Sequence, residues 1–203
     1  MDTTAFPVGH CTNGATGSNC VTDADIRATV LRNLASHGIA AGLDKMFFVY
    51  TPAGEGSCFN AACSTGNQSY VDFCAYYSFT GAGNNVIYAN QPWPTRPASA
   101  GRPNCYIAPG GAQTFPNGNT NADASISVSS HEQNEAISDP LVNFQSAWYD
   151  AAGYENGDEC ACQFGANTAV GGGNTNVNGH PYEVQMEGSN QAHNCVISGP
   201  AGP

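Results

Sequence analysis

From Thr22 to Gly38 the apolar residues fall at helical spacing. Ile26, Val30, Leu31 and Leu34 recur along one side, Thr22 and Asp25 stand three apart as in a capping box, and Gly38 offers a stop. The pattern predicts a helix over about 23–37. Met46-Phe-Phe-Val-Tyr50 is a short run of β-favouring residues closed by Thr51-Pro52, and it reads as a buried strand. Tyr70 to Phe79 and Val86 to Ala89 read as two more strands, joined by the turn-rich Thr80 to Asn85 segment of a hairpin. The pattern lapses between Gln91 and Asn121, which holds six of the twelve prolines; a loop of that length is functional or tethered, and Cys105 is a candidate tether. A second helix is expected at about 124–138, with Ile126 and Val128 as its apolar anchor and Asp139-Pro140 as its stop. Its serine-rich first half has weak propensity, so packing must hold it. Residues 165–179 form a Gly- and Asn-rich connection, and Tyr182-Glu-Val-Gln-Met186 alternates like an edge or barrel strand. The fold class is α+β: a small mixed sheet with two main helices, loop-rich and stapled by disulfides. An arm at 1–21 precedes a single domain at 22–203.

Composition narrows the functional classes. A chain of 203 residues can bury roughly 70% of its unfolded surface, enough for one sizeable core. Only 10% of residues are charged, against roughly 25% in an average soluble chain, so the surface is polar but neutral. No apolar run approaches the roughly 18 residues of a membrane-spanning helix. Five Lys and Arg against sixteen Asp and Glu give a net charge of −11, which argues against nucleic acid and anionic membranes as partners. The charges are also unevenly placed: after Arg102 there is no Lys or Arg, while ten carboxylates remain, seven of them between Glu132 and Glu159. Carboxylates crowded without a cation stay in water, rise in pKa or hold a metal.

Nine cysteines without a Cys-x-x-Cys pair speak against a zinc–thiolate site and for disulfides, hence an oxidising compartment and a secreted protein. Cys11 and Cys20 are spaced to close a small loop in the arm. The odd count leaves at least one thiol free or paired elsewhere. The polar first twenty residues lack the charged and apolar regions of a signal peptide, as expected of a mature chain.

His131-Glu132-Gln133-Asn134-Glu135 places an imidazole and a carboxylate one helical turn apart, so both can reach a single ion. Glu132 lies beside them and is the candidate general base for activating water. The third ligand is expected from the acidic segment that follows, where Glu155 and Asp158 flank Gly157 and Cys160 could fix the turn. Zinc suits this donor set; calcium held by the oxygens of Asp150 to Glu159 is the alternative, although the EF-hand spacing is absent. His180 and His193 are further ligand candidates. Trp93 and Trp148-Tyr149 could stack on sugar rings, with core packing the other role for Trp148. The glycine runs Gly110-Gly111 and Gly171-Gly172-Gly173 lack the lysine of a phosphate loop, and no nucleophile elbow surrounds any serine.

These residues also carry a family resemblance. His131-Glu132-x-x-Glu135-Ala136, then Asp139-Pro140-Leu141-Val142-Asn143, Ala147-Trp148-Tyr149 and Glu155-x-x-Asp158-x-Cys160 resemble, in this order, the core of the plant EXORDIUM or phosphate-induced protein 1 family and its microbial relatives. Asn178-Gly179-His180-Pro181-Tyr182-Glu183-Val184-Gln185 ahead of Asn194-Cys195 is similar to that family's terminal strand and last cysteine. Cys162 and Met186-Glu187 depart from its pattern. The resemblance implies a secreted domain associated with the extracellular matrix or cell wall, with a zincin-like metal site.

The residues therefore point to a secreted zinc metallopeptidase-like hydrolase, with His131, Glu135 and either Asp158 or Glu155 as ligands and Glu132 as base. Its substrate would be a peptide, laid along Val86 to Asn90 as an added strand. The competing reading is a non-catalytic wall or matrix module, binding glycan or assembling with itself around an architectural metal.

Overall fold

The computed structural model describes residues 9–64, 66–83, 85–94, 105, 115–142, 148–167 and 169–199. The start of the arm, most of the proline-rich stretch, and Asn143 and Ala147 of the family motif lie outside them. Internal contacts divide the chain into two compact units, Met1–Pro103 and Asn104–Pro203.

In the first unit, β1 (Cys20–Thr22) runs directly into α1 (Asp23–His37). The capping box forms as the spacing predicts: the Thr22 side chain accepts from the Asp25 N–H, and the Asp25 carboxylate accepts from the Thr22 N–H. Gly38 ends the helix in the left-handed conformation at φ 63°, where a residue without Cβ is unstrained. Then follow β2 (Met46–Tyr50), β3 (Gly56–Cys58), β4 (Tyr76–Thr80) and β5 (Val86–Gln91). β3 pairs parallel with β1, setting Thr22 opposite Cys58. β5 lies at the centre of a mixed three-stranded sheet, parallel to β2 and antiparallel to β4.

Ile26, Val30 and Leu34, spaced four apart on α1, join Val21, Val86 and Tyr88 in the core of this unit, with Phe47, Val49 and Tyr76 packed against it. Asp23, in the first turn of α1, is buried yet satisfied. It accepts from the hydroxyls of Tyr88 and Tyr76, the latter at 2.8 Å, and pairs with Arg27 at 2.9 Å. Burial, and then the Asp23 charge, push both tyrosine hydroxyls well above the usual phenol range, so they remain donors.

Three strand expectations in this unit are corrected. Tyr70 to Ala75 is turn rather than strand, because Tyr70 takes a left-handed φ of 64° and the Gln68 carbonyl accepts from three successive N–H groups. β2 is an edge strand, and its residues are half-buried or exposed rather than enclosed. β5 is fully buried between two partners, so Val86 to Asn90 has no free edge for a peptide.

In the second unit, α2 (Thr120–Ser138) starts about one turn before the expected residue 124, capped by the Asn119 side chain. A 3-10 turn follows at Asp158–Cys160, then the hairpins β6 (Thr175–Val177) with β7 (His180–Tyr182) and β8 (Glu187–Ser189) with β9 (Asn194–Val196). The segment between β7 and β8 is not strand. Its alternation is inverted: Glu183 and Gln185 are buried while Val184 and Met186 are half-exposed. Asn174 holds the segment as a clamp, donating to the carbonyls of Phe164 and Val184 and accepting from the Val184 N–H.

Disulfides join Cys11 to Cys20, Cys58 to Cys63 and Cys160 to Cys195; Cys74 and Cys105 are also oxidised, and Cys162 is the free thiol. No helix among the described residues is long and apolar enough to cross a membrane. Disulfides at this density fit folding in an oxidising compartment.

Candidate metal centre

α2 does not rest on Ile126, which is 41% exposed. Its buried side carries Ala124, Ser127 and Glu135 in line with half-buried His131, and Ser125, Glu132 and Ala136 in the adjoining row. Small and polar residues on that face leave room for donors instead of filling it. His131 Nε2 lies 3.0 Å from Glu135 Oε1, one turn along the helix. Asp158, from the 3-10 turn, brings Oδ1 to 3.8 Å of the same nitrogen. The three ligand atoms all fall within 4.8 Å of one another, with Glu135 buried and the Asp158 side chain 51% exposed, so the group opens to solvent on the Asp158 side. Glu155 is not in the group.

The 3-10 turn is pressed close. The Asp158 N–H donates to Glu135 Oε1 at 3.2 Å. A Cβ on Gly157 would stand 2.9 Å from Glu135 Oε1 and 2.9 Å from His131 Nδ1. Glycine is required there for proximity, since its φ of −73° is open to any residue.

Two contributors escape a motif search. Gln185 Nε2 lies 2.9 Å from His131 Nδ1 and donates to the Gly157 carbonyl at 2.8 Å, while its Oε1 accepts from the Cys162 N–H at 3.0 Å. The last two bonds fix the amide with its nitrogen toward the ring. In the neutral ring His131 Nδ1 then accepts and Nε2–H donates to Glu135, whereas protonation of the ring requires the Gln185 amide to turn. Glu187, on β8, has a buried Oε2 with no hydrogen-bond partner among the described residues. The inverted alternation of residues 182–186 was the available signal for Gln185. For Glu187, separated from the motif in sequence, the only signal was its place in the cation-free half.

The electrostatics follow from that imbalance. Burial pushes the Glu132 carboxyl up to about 8; His131 opposes the shift, and the charges of Glu135, Asp158 and Glu155 reinforce it. Glu187 also rises to about 8, chiefly by burial. Asp158 is raised by burial and by Glu135. Burial alone would lower the His131 pKa, but its hydrogen bond to Glu135 and the charges of Glu132, Glu135 and Glu187 carry it up to about 10. The cluster thus needs positive charge, as protons or as a cation, and no Lys or Arg follows Arg102 to supply it. One imidazole nitrogen and two carboxylates are a donor set that fits zinc.

A separate cavity of about 380 Å³ in this unit is lined by Trp148, Asp150, Glu159, Gln163 and His193, with none of the three donors in its wall. Asp150 Oδ1 is engaged by the N–H groups of Ala152 and Tyr154, which ties it to its own loop. His180 is exposed on β7. No family model, curated protein or solved structure matches this chain.

Proposed function

We propose that the second unit is a metal-dependent hydrolase, a secreted zinc peptidase in the class suggested by the EXORDIUM-like motif order. His131, Glu135 and Asp158 would hold the ion, which would supply Lewis acidity toward a scissile carbonyl. The observation that carries this reading is the convergence of those three donors with a solvent-facing side. Glu132, adjacent in the chain and with its carboxyl near 8, is matched to proton transfer around neutral pH. Glu135 both receives the His131 Nε2–H and accepts the Asp158 N–H, so it orients the other two donors. Calcium is the weaker candidate: it takes six to eight oxygens, and an imidazole is a poor member of that set.

The second reading is an architectural ion in a matrix or wall module, favoured by the 4% exposure of Glu132, which leaves its carboxyl little access to substrate. Metal analysis of chain purified without chelator, with peptide hydrolysis measured for the parent and Glu132→Gln, separates the two. Stoichiometric zinc and a loss of roughly 100-fold or more in turnover support the hydrolase. Zinc with no hydrolysis, or hydrolysis unchanged by the substitution, leaves the architectural site; no zinc removes both.

A further inference from the structure

The first unit holds a second set of donor atoms. The sulfurs of Cys11, Cys20, Cys58 and Cys63 all lie within 4.8 Å of one another, and all four residues are buried. They are bonded in the pairs Cys11–Cys20 and Cys58–Cys63, yet Cys20 Sγ is also 3.5 Å from Cys58 Sγ and 3.9 Å from Cys63 Sγ. A zinc tetrathiolate with Zn–S of about 2.3 Å has sulfur–sulfur edges of about 3.8 Å. The two distances from Cys20 are close to such an edge and the Cys11 sulfur lies within 4.8 Å of the others, so the two disulfides take the place of opposite edges drawn together by a bond. Cys58-x4-Cys63 also has the short spacing common in zinc modules.

The loops that carry these sulfurs are positioned independently of the S–S bonds. β1 and β3 are paired, and Gly56 N–H donates to the Asn19 carbonyl. Buried Asn13 donates to the carbonyls of Ser57 at 3.2 Å and Ser69 at 3.0 Å; the Ser69 hydroxyl accepts from the Ser57 N–H, and Asn90 donates to the Ser57 hydroxyl at 2.6 Å. These hydrogen bonds hold the loops in addition to the bridges, and a zinc ion would take over the remaining restraint once the bridges are broken.

We propose that, when both bridges are reduced, Cys11, Cys20, Cys58 and Cys63 form a structural zinc site, so that the arm is stapled by two disulfides in an oxidising compartment and by one zinc ion in a reducing one. The chemistry balances with a phosphine as reductant. Each S–S bond breaks to two thiols as one phosphine takes oxygen from water and becomes its oxide. Four thiols then release four protons to the solvent as their thiolates bind one zinc ion, giving a tetrathiolate dianion.

The test uses the full chain, reduced without oxygen by a trialkylphosphine and titrated with cobalt(II), whose tetrathiolate complex has strong visible and near-ultraviolet bands that a His/Glu/Asp site lacks. The expected result is a thiolate spectrum saturating at one cobalt per chain, displaced by zinc, retained in His131→Ala and in Cys195→Ser, and lost in Cys20→Ser and Cys58→Ser. Near-ultraviolet circular dichroism of the reduced chain should persist with zinc and fade without it. Absence of the tetrathiolate bands, in a folded or an unfolded chain, overturns the proposal, as does their survival in Cys58→Ser.

Discussion

When the ring is neutral, Gln185 holds His131 in the tautomer that suits Glu135 rather than an ion. Ligation through Nε2 requires the ring proton on Nδ1, and that nitrogen now faces the Gln185 amide nitrogen. Metal binding must therefore turn the amide, at the expense of its bonds to Gly157 and to Cys162. Gln185→Glu supplies a carboxylate that accepts from Nδ1–H and still accepts from Cys162, and it should tighten zinc by about 10-fold, in line with the effect of outer-shell partners on metal affinity. Competition with a chelator of known affinity measures it. Gly157→Ala acts in the opposite direction. Its methyl has to displace His131 or Glu135, so zinc affinity should fall by at least about 10-fold while the Cys160–Cys195 bridge, detected by mass spectrometry, still forms.

The two helices were legible to different degrees, for different reasons. α1 was readable almost to the residue, because Thr22, Asp25 and Gly38 state its ends and Ile26, Val30 and Leu34 its inward face in purely local terms. The extent of α2 was readable but its face was not, because the buried stripe is chosen by the donors at 131 and 135 and leaves Ile126 and Ile137 outside. His131 with Glu135 was visible as a spacing, while the choice of Asp158 over Glu155 needed the fold of the 3-10 turn. The central place of β5 depends on a parallel partner some forty residues earlier in the chain, which no local pattern records. At the start of α1, Asp23→Ala would leave Arg27 and two tyrosine hydroxyls without their acceptor. The expected cost is about 3 kcal/mol in denaturant unfolding, with a smaller loss for Asp23→Asn, which keeps an acceptor oxygen.

Across the whole molecule, the absence of Lys and Arg after residue 102 sets how stability depends on pH. Glu132 and Glu187 have folded pKa values near 8 against an ordinary 4.5, so the metal-free native state keeps protons that the unfolded chain releases. Stability should therefore decline as pH rises from about 4.5 to about 8. His131, raised from 6.5 to about 10, acts in the same sense: its contribution is complete below 6.5 and disappears as pH rises through 10. Thermal scans with chelator should show Tm falling from pH 5 to pH 9. Zinc competes with those same protons, so the increment it adds to Tm should grow over that range; an increment that shrinks with pH would contradict the assigned donors.

The Cys160–Cys195 bridge spans 35 residues and fastens the turn bearing Asp158 beside the hairpin bearing Glu187. Closing a loop of that size stabilises the folded chain by about 4 kcal/mol in the chain-entropy model. The strap on the acidic cup of the second unit and the bonds that tie up the sulfurs of the first thus depend on the same oxidation chemistry. With the two proposed sites, an oxidant would exchange a thiolate-bound ion in the first unit for a carboxylate-bound one in the second.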